Sequence, residues 1–233
     1  MDGRRVLITG TSRGIGAYLA RHYVDQGDYV LGCARGPTVL EHDRYTHVSL
    51  DVTDERAVGE LFQTARARLG RLDALINNAG IATMNAVALT PFTTARRVLE
   101  TNFLGTFLFS HRAIRLLRHS SAGRIVNLTT VAVPWRLDGE AVYAAAKSAV
   151  ETFTRVLAKE VGPFGITVNA VGPSPIKTEL TAAVPPRKLE ALIERQAIPR
   201  WADPADVANV IDFFLRPESA LITGQVIYLG GVG

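Results

Sequence analysis

Cysteine and long apolar runs are nearly absent from this sequence of 233 residues. Its one cysteine, Cys33, excludes a disulfide framework and a zinc site built from several thiolates. No stretch approaches about 18 uninterrupted apolar residues, so we expect no membrane-spanning helix and no membrane partner. The N-terminal residues lead straight into an apolar strand without the apolar core of a signal peptide, which predicts a cytoplasmic location.

Clusters of one charge are also missing. The 26 basic and 22 acidic residues give a formal net charge of +4, but the arginines are scattered and no run of five basic residues occurs. A basic balance without a patch or motif is weak support for nucleic-acid binding, so we expect no nucleic-acid partner. The five histidines lack metal-ligand spacing with acidic residues or cysteine, and we expect no metal site.

Short apolar segments alternate with helical patterns along the whole sequence, whose hydrophobic content of 47% is that of a globular protein. Strands are predicted at residues 5–9, 29–34, 47–50, 74–76, 124–128, 166–171 and 225–229. Helices are predicted at residues 16–26, 55–69, 92–118, 140–161 and 204–215. Strands that are apolar on both faces indicate a parallel sheet covered by helices on both sides. The prediction is therefore a doubly wound α/β fold in a single domain over residues 1–233.

One segment, residues 179–202, breaks this alternation and contains Pro185 and Pro186. It separates a strand from a helix at the side of the sheet where ligands bind in such folds. We expect a substrate loop or lid here.

A glycine-rich turn, residues 9–16 (Thr-Gly-Thr-Ser-Arg-Gly-Ile-Gly), follows the first strand and opens a helix. Gly10 permits the tight turn, Gly14 lets a pyrophosphate approach the backbone, and Gly16 allows close packing of the helix. Free N–H groups at the positive end of the helix favour a phosphate anion. The alternative is a tight strand-to-helix turn without a ligand.

The end of the second strand indicates the type of dinucleotide. It reads Cys-Ala-Arg-Gly at 33–36 and lacks the acidic residue that accepts from a ribose 2′-hydroxyl in NAD-binding proteins. Arg35 and Arg13 instead suit a 2′-phosphate, because a guanidinium binds phosphate oxygens bidentately. We therefore expect NADP(H) rather than NAD(H), with two surface arginines as the alternative.

Asp51 follows the third strand, where it is placed to accept a hydrogen bond from an adenine amino group. The alternative is that it caps the helix beginning near Glu55, a task for which Thr53 and Asp54 compete.

Tyr143 and Lys147 lie four residues apart on a predicted helix, so their side chains share one face. A nearby ammonium lowers the pKa of a phenol from its ordinary value of about 10. The pair is suited to general acid/base chemistry on a carbonyl or an alcohol. Alone, such a spacing is more often structural.

Several motifs occur together in one order along the chain. They are the 9–16 turn, residues 77–80 (Asn-Asn-Ala-Gly), Asn102, residues 143–147 (Tyr-Ala-Ala-Ala-Lys), residues 169–173 (Asn-Ala-Val-Gly-Pro) and residues 222–226 (Ile-Thr-Gly-Gln-Val). In order and spacing the sequence resembles the short-chain dehydrogenase/reductase family over essentially its whole length. The resemblance implies a Rossmann-like fold with a seven-stranded parallel sheet and NAD(P)-dependent hydride transfer.

By position, the resemblance assigns four catalytic residues. It implies that Tyr143 is the acid/base, and that Lys147 binds the nicotinamide ribose and lowers the pKa of Tyr143. It implies that Asn102 holds a water in a proton relay. Thr130 stands where the family usually has serine; it keeps the hydroxyl that would bind the substrate oxygen but adds a methyl group, so we expect retained chemistry in a reshaped pocket.

The resemblance, together with the turn and strand ends above, implies a set of cofactor-binding residues. The set is Gly10, Ser12, Arg13, Gly14, Ile15, Gly16, Arg35, Asp51, Val52, Asn78, Ala79, Gly80, Tyr143, Lys147, Pro173, Ile176 and Thr178. Asn78 would lie beside the adenine ribose. Ser174 replaces the usual glycine after Pro173, which predicts a different backbone path for the loop that faces the nicotinamide.

The expected function is NADPH-dependent interconversion of a carbonyl and a secondary alcohol, in a protein that resembles 3-oxoacyl-carrier-protein reductases and related carbonyl reductases. The alternatives are an epimerase or tailoring enzyme and a non-catalytic binding or regulatory protein. The resemblance implies a small-molecule carbonyl or alcohol substrate and a homodimer or homotetramer formed through residues 92–118 and 140–161. Trp135 and Trp201 either line the substrate pocket or pack elsewhere.

Overall fold

A computed structural model describes residues 3–182 and 184–231, and within these ranges seven strands form one parallel sheet. The strands are Arg5–Thr9 (β1), Tyr29–Ala34 (β2), Tyr45–Ser49 (β3), Ala74–Asn77 (β4), Arg124–Leu128 (β5), Thr167–Gly172 (β6) and Val226–Tyr228 (β7). Their spatial order is β3-β2-β1-β4-β5-β6-β7, and every adjacent pair is parallel.

The helices pack on both faces of this sheet. They are Gly14–Asp25 (α1), Glu55–Leu69 (α2), Phe92–Leu99 (α3), Gly105–Leu117 (α4), Ala132–Trp135 (α5), Ala141–Val161 (α6), Glu179–Ala182 (α7), Pro186–Glu194 (α8) and Pro204–Leu215 (α9). Short 3₁₀ segments lie at Val87–Leu89, Gly162–Phe164 and Pro217–Ser219.

Strand β1 shows why helices cover both faces. All five of its residues are buried, and successive side chains point to opposite sides of the sheet. Leu7 packs into a core with side chains of α2, α4 and α6, whereas Val6 and Ile8 pack into a second core with side chains of α1 and α9. The predicted doubly wound α/β fold is confirmed, and Cys33 is a buried residue of the first core.

The predicted helix over 92–118 is wrong in one place, because a π-helical turn at Glu100–Leu104 separates α3 from α4. The turn buries Asn102 completely, and a buried amide needs partners. Asn102 Nδ2 donates to the Ile81 carbonyl at 2.9 Å, and its Oδ1 accepts from the Ile81 N–H at 2.8 Å. Local π turns of this kind are frequent at functional sites.

The 179–202 segment is more regular than a loop, since α7 and α8 lie within it. Pro186 occupies the first turn of α8, where its missing N–H is no loss. In the part of the chain that the structure describes, no helix is both long and apolar enough to cross a membrane.

Candidate active site

A cleft of about 620 Å³ opens where the central strands end. Gly10 directly follows β1, Asn78 follows β4 and Pro173 follows β6, and all three line the cleft. Ligands bind at this edge of open parallel sheets because the strand order reverses there.

Most of the residues predicted from sequence meet in this cleft. Those that line it are Gly10, Ser12, Arg13, Gly14, Ile15, Arg35, Asp51, Val52, Asn78, Ala79, Gly80, Thr130, Tyr143, Lys147, Pro173, Ile176 and Thr178. Gly16 and Asn102 are buried behind its surface.

The glycine-rich turn requires its glycines for different reasons. Gly10 and Gly14 have φ angles of +78° and +57°, which favour residues without a Cβ. Gly16 has no such angle, but a Cβ there would lie 2.1 Å from the Gly10 carbonyl oxygen. Gly16 therefore lets α1 pack against the turn, as its position predicted.

The N-terminus of α1 faces the cleft without a side-chain cap. Arg13, its N-cap residue, makes no capping hydrogen bond, and the first turn has no acidic residue. Asp54 and Asp203, in contrast, cap α2 and α9 with their carboxylates. The first N–H groups of α1 thus keep their capacity to bind an anion.

Asn78 fixes the turn to the neighbouring strand. Its Nδ2 donates to the carbonyl oxygens of Thr9 at 2.8 Å and Gly10 at 3.2 Å, and its N–H donates to Thr9 Oγ1 at 3.0 Å. The Asn78 amide nitrogen already donates to two carbonyl oxygens, so the expected contact with an adenine ribose would use other atoms of this residue.

Arg35 and Asp51 line the same cleft as the glycine-rich turn, and both side chains are partly exposed. Arg35 Nη1 is 3.9 Å from Asp51 Oδ2, and the Arg35 side chain is 65% exposed. An exposed pair at this distance is weak, so the guanidinium stays available to an anionic ligand. Asp51 Oδ1 accepts from the N–H and hydroxyl of Thr53, and the helix cap is Asp54. The uncapped α1, the glycine turn and these cations together fit a dinucleotide phosphate.

Tyr143 is buried in the cleft wall beside Thr130. Burial raises the pKa of Tyr143 to about 12, and the charge of Glu140 acts in the same direction, whereas a hydrogen bond with the Thr130 hydroxyl lowers it. The sequence predicted a lowered pKa. The outcome differs because burial, the largest contribution, raises the pKa of Tyr143.

Lys147 Nζ donates to the Leu128 carbonyl oxygen at 2.6 Å, inside the protein. Burial lowers the pKa of this ammonium to about 8. A Cβ on Gly80 would lie 3.6 Å from Lys147 Nζ and 3.3 Å from Asn102 Oδ1, so these three residues meet at one point behind the cleft. Both polar atoms of the Asn102 amide are taken by Ile81, and its carbonyl oxygen accepts from Thr106 Oγ1 at 2.9 Å.

Ser174 explains one departure from the family pattern. Its Oγ donates to the Leu229 carbonyl oxygen at 2.8 Å, which joins the loop after β6 to the chain after β7. Where the family usually has a conformationally free glycine, this chain has a serine whose side chain holds the loop in place by a hydrogen bond.

The sequence analysis predicted a substrate segment at residues 179–202 but named none of the individual side chains that line the opposite end of the cleft. Apolar side chains line it there, from Ile81, Ala82, Leu137, Val184, Leu189 and Leu192, together with the carboxyl of Glu140. Trp135 and Trp201 do not line it; Arg195 lies over the ring of Trp135 and Lys177 over that of Trp201. Helical periodicity in α8 is the one sequence signal for Leu189 and Leu192.

Comparisons with known proteins agree with this geometry. The family model described as enoyl-(acyl carrier protein) reductase matches residues 10–231. The 3-oxoacyl-[acyl-carrier-protein] reductases FabG of Vibrio cholerae and Escherichia coli are each 31% identical to the chain, over 99% of its length and 97% of theirs.

Two solved structures share the fold. Ligand-free aldohexose dehydrogenase from Thermoplasma acidophilum superposes with a TM-score of 0.90 at 28% identity, covering 99% of this chain and 94% of that one. A single-substitution variant of the actinorhodin polyketide ketoreductase with NADPH superposes with a TM-score of 0.89 at 28% identity, covering 100% and 98%. The chain therefore belongs to the short-chain dehydrogenase/reductase family.

Proposed function

We propose that the protein is an NADPH-dependent ketoreductase that interconverts a carbonyl and a secondary alcohol, with Tyr143 as the acid/base. The observation that carries the proposal is the burial of Tyr143 in the cleft beside the Thr130 hydroxyl, one helical turn from Lys147. The names of the FabG relatives and of the polyketide ketoreductase support the same reaction.

The proposed division of labour begins with the cofactor. Residues 10–16 would hold the pyrophosphate, Arg13 and Arg35 the 2′-phosphate, and Asp51 with Val52 the adenine. Ala79, Gly80, Pro173, Ile176 and Thr178 would line the remaining path, where Lys147 would bind the nicotinamide ribose. When bound, NADPH supplies the hydride. Two observations support NADP(H) over NAD(H): no acidic residue stands at the end of β2, and the structure of the ketoreductase neighbour contains NADPH.

The chain's own residues handle the proton. With a pKa of about 12, Tyr143 is protonated at neutral pH and ready to donate to the developing alkoxide. Thr130 donates a hydrogen bond to the same oxygen, which stabilises its negative charge. Lys147 and Asn102 lie behind Tyr143, where a proton would be replenished. The 179–202 segment would close over the substrate as a lid.

The test follows NADPH and NADH oxidation over a panel of ketones and 3-oxoacyl thioesters. We expect turnover with NADPH and less with NADH. Turnover of no carbonyl compound, although NADPH binds, would contradict the reductase proposal and favour a non-catalytic binding protein. Consumption of a substrate without net oxidation of NADPH would favour an epimerase. The cytoplasmic location and the homo-oligomeric state remain predictions.

A further inference from the structure

Glu140 is a buried carboxyl at the substrate end of the cleft. It is 9% exposed, lines the cleft, and lies immediately before α6, three residues ahead of Tyr143. Residues three apart at the start of a helix share a face, with Cβ atoms roughly 5–6 Å apart. The Glu140 carboxyl therefore lies near the Tyr143 hydroxyl, and both residues line the cleft.

The Glu140 carboxyl has no hydrogen-bond or ion-pair partner among residues 3–182 and 184–231. Its backbone is fully used: the N–H donates to the Leu137 carbonyl at 3.2 Å, and the carbonyl accepts from the Ala144 N–H at 2.7 Å. Glu151, which is 4% exposed, provides the contrast, because its Oε1 accepts from the hydroxyls of Thr129 at 2.7 Å and Tyr228 at 2.6 Å.

The Glu140 carboxyl keeps contact with the solvent of the cleft and no group of the described residues donates to it, so a donor on a bound ligand finds a free acceptor there. Burial raises the pKa of Glu140, and the charge of Lys188, an exposed residue of α8, lowers it. The nearby Lys188 ammonium already supplies positive charge, so a neutral donor gains more from the carboxyl than a second cation does. Apolar residues such as Leu137, Val184 and Leu189 line the same cleft and offer no competing hydrogen bond.

We propose that Glu140 is a specificity-determining residue that accepts a hydrogen bond from a hydroxyl group within a few bonds of the reacting carbonyl. The substrate class is then a hydroxylated ketone or its polyol product. This inference rests on the proposed ketoreductase function and adds to it the polarity of the substrate.

The experiment compares four ketones of one carbon skeleton under saturating NADPH: butan-2-one, 1-hydroxybutan-2-one, 4-hydroxybutan-2-one and 1-aminobutan-2-one. A hydrogen bond to a charged group contributes about 1.5–3 kcal/mol, so we expect kcat/KM for a hydroxyketone to exceed that for butan-2-one by roughly 10- to 100-fold. Glu140→Leu should bring this ratio close to one. Glu140→Gln, which keeps an acceptor oxygen, should retain a few-fold preference.

Two variants serve as controls. Glu160→Gln removes an exposed carboxyl of α6 that does not line the cleft, and it should leave the ratio unchanged. Lys188→Met tests whether Glu140 acts as a latch for α8; a loss of the preference equal to that of Glu140→Leu would overturn direct substrate recognition. Thermal unfolding and NADPH binding identify any Glu140 variant that fails to fold.

The outcomes separate the two proposals. Equal kcat/KM for butan-2-one and both hydroxyketones in the wild type overturns the Glu140 inference, while the reduction itself upholds the ketoreductase. A Glu140-dependent preference for the aminoketone overturns the assignment of a neutral hydroxyl. Turnover of none of the four ketones, nor of the wider carbonyl panel, contradicts the ketoreductase and the inference with it.

Discussion

The two ends of the cleft differ in how their polar groups are exposed to solvent. The cofactor end presents backbone N–H groups of an uncapped helix and the exposed cations Arg13 and Arg35. The substrate end presents the buried groups Glu140, Tyr143 and Lys147, each with a pKa moved by loss of water. Anion binding needs donors that remain free, whereas the substrate end holds groups whose proton affinity is changed by burial.

The sharpest way to break this comparison is Tyr143→Phe, which removes the acid/base from the substrate end only. General acid/base catalysis contributes about 10²- to 10⁴-fold, so we expect kcat to fall by that order while the Kd for NADPH stays within about twofold. Stopped-flow turnover and fluorescence titration measure the two quantities. The control is Tyr18→Phe, a partly exposed tyrosine outside the cleft, and normal turnover by Tyr143→Phe would refute the assigned role.

At the cofactor end, Gly16→Ala should have the next largest effect. The added Cβ would lie 2.1 Å from the Gly10 carbonyl oxygen, so the turn must move and the aligned N–H groups with it. We expect NADPH affinity to fall by about 100-fold, the loss of two charge-assisted hydrogen bonds. Gly59→Ala on α2 is the matched control, because a Cβ there meets nothing within 4 Å. Unchanged NADPH binding by folded Gly16→Ala would remove the turn from the cofactor site.

Lys147→Met tests, through the free energy of unfolding, whether burial lowers the pKa of Lys147. Burial lowers the pKa of Lys147 from 10.5 to about 8, so between these pH values the unfolded chain holds a proton that the folded chain has lost. The free energy of unfolding of the wild type should therefore rise with pH across this window relative to that of the variant. The stability of Lys147→Met relative to the wild type should therefore be higher at pH 7 than at pH 10, and the variant should be inactive. Denaturant unfolding at pH 7 and pH 10 measures this, and parallel pH curves would contradict it.

Arg35→Ala should separate the two nicotinamide cofactors by a smaller factor. Loss of a charge-assisted contact to a 2′-phosphate corresponds to about a 10- to 100-fold weaker Kd for NADPH, with NADH nearly unchanged. Arg56→Ala, an exposed arginine of α2 paired with Glu60, is the control. An equal loss for both cofactors would exclude the 2′-phosphate clamp.

The cofactor end could be predicted from the sequence because its parts are local. The 9–16 turn contains its own glycines and opens the helix that it serves, and Arg35 directly follows a strand whose apolar run was evident. Which side chain caps α2 could not be predicted, since Asp51, Thr53 and Asp54 all suit the task. Only the backbone path assigns it to Asp54.

Tyr143, Lys147 and the 179–202 segment were predicted at the substrate end, but its apolar lining was not, because residues distant in sequence meet there. Ile81, Glu140 and Leu189 come from three separate segments, and their proximity depends on how the loops pack. The π turn at Glu100–Leu104 was missed for a related reason: hydrophobic spacing continues through it, and Asn102, which it buries, bonds to Ile81, 21 residues away in sequence. The pKa of Tyr143 was predicted in the wrong direction since burial cannot be derived from a four-residue spacing.

The smallest expected effect concerns the caps that distinguish α1 from α9. Asp203 and Asp206 form a capping box on α9, and Arg200 donates to Asp206, whose pKa these contacts lower to about 2. Asp203→Ala should reduce the free energy of unfolding by about 1 kcal/mol and leave the Kd for NADPH unchanged, because this helix end binds its own carboxylate. Thermal unfolding with and without NADPH measures both quantities. If Asp203→Ala weakened NADPH binding, the contrast between the capped N-terminus of α9 and the uncapped N-terminus of α1 would not hold.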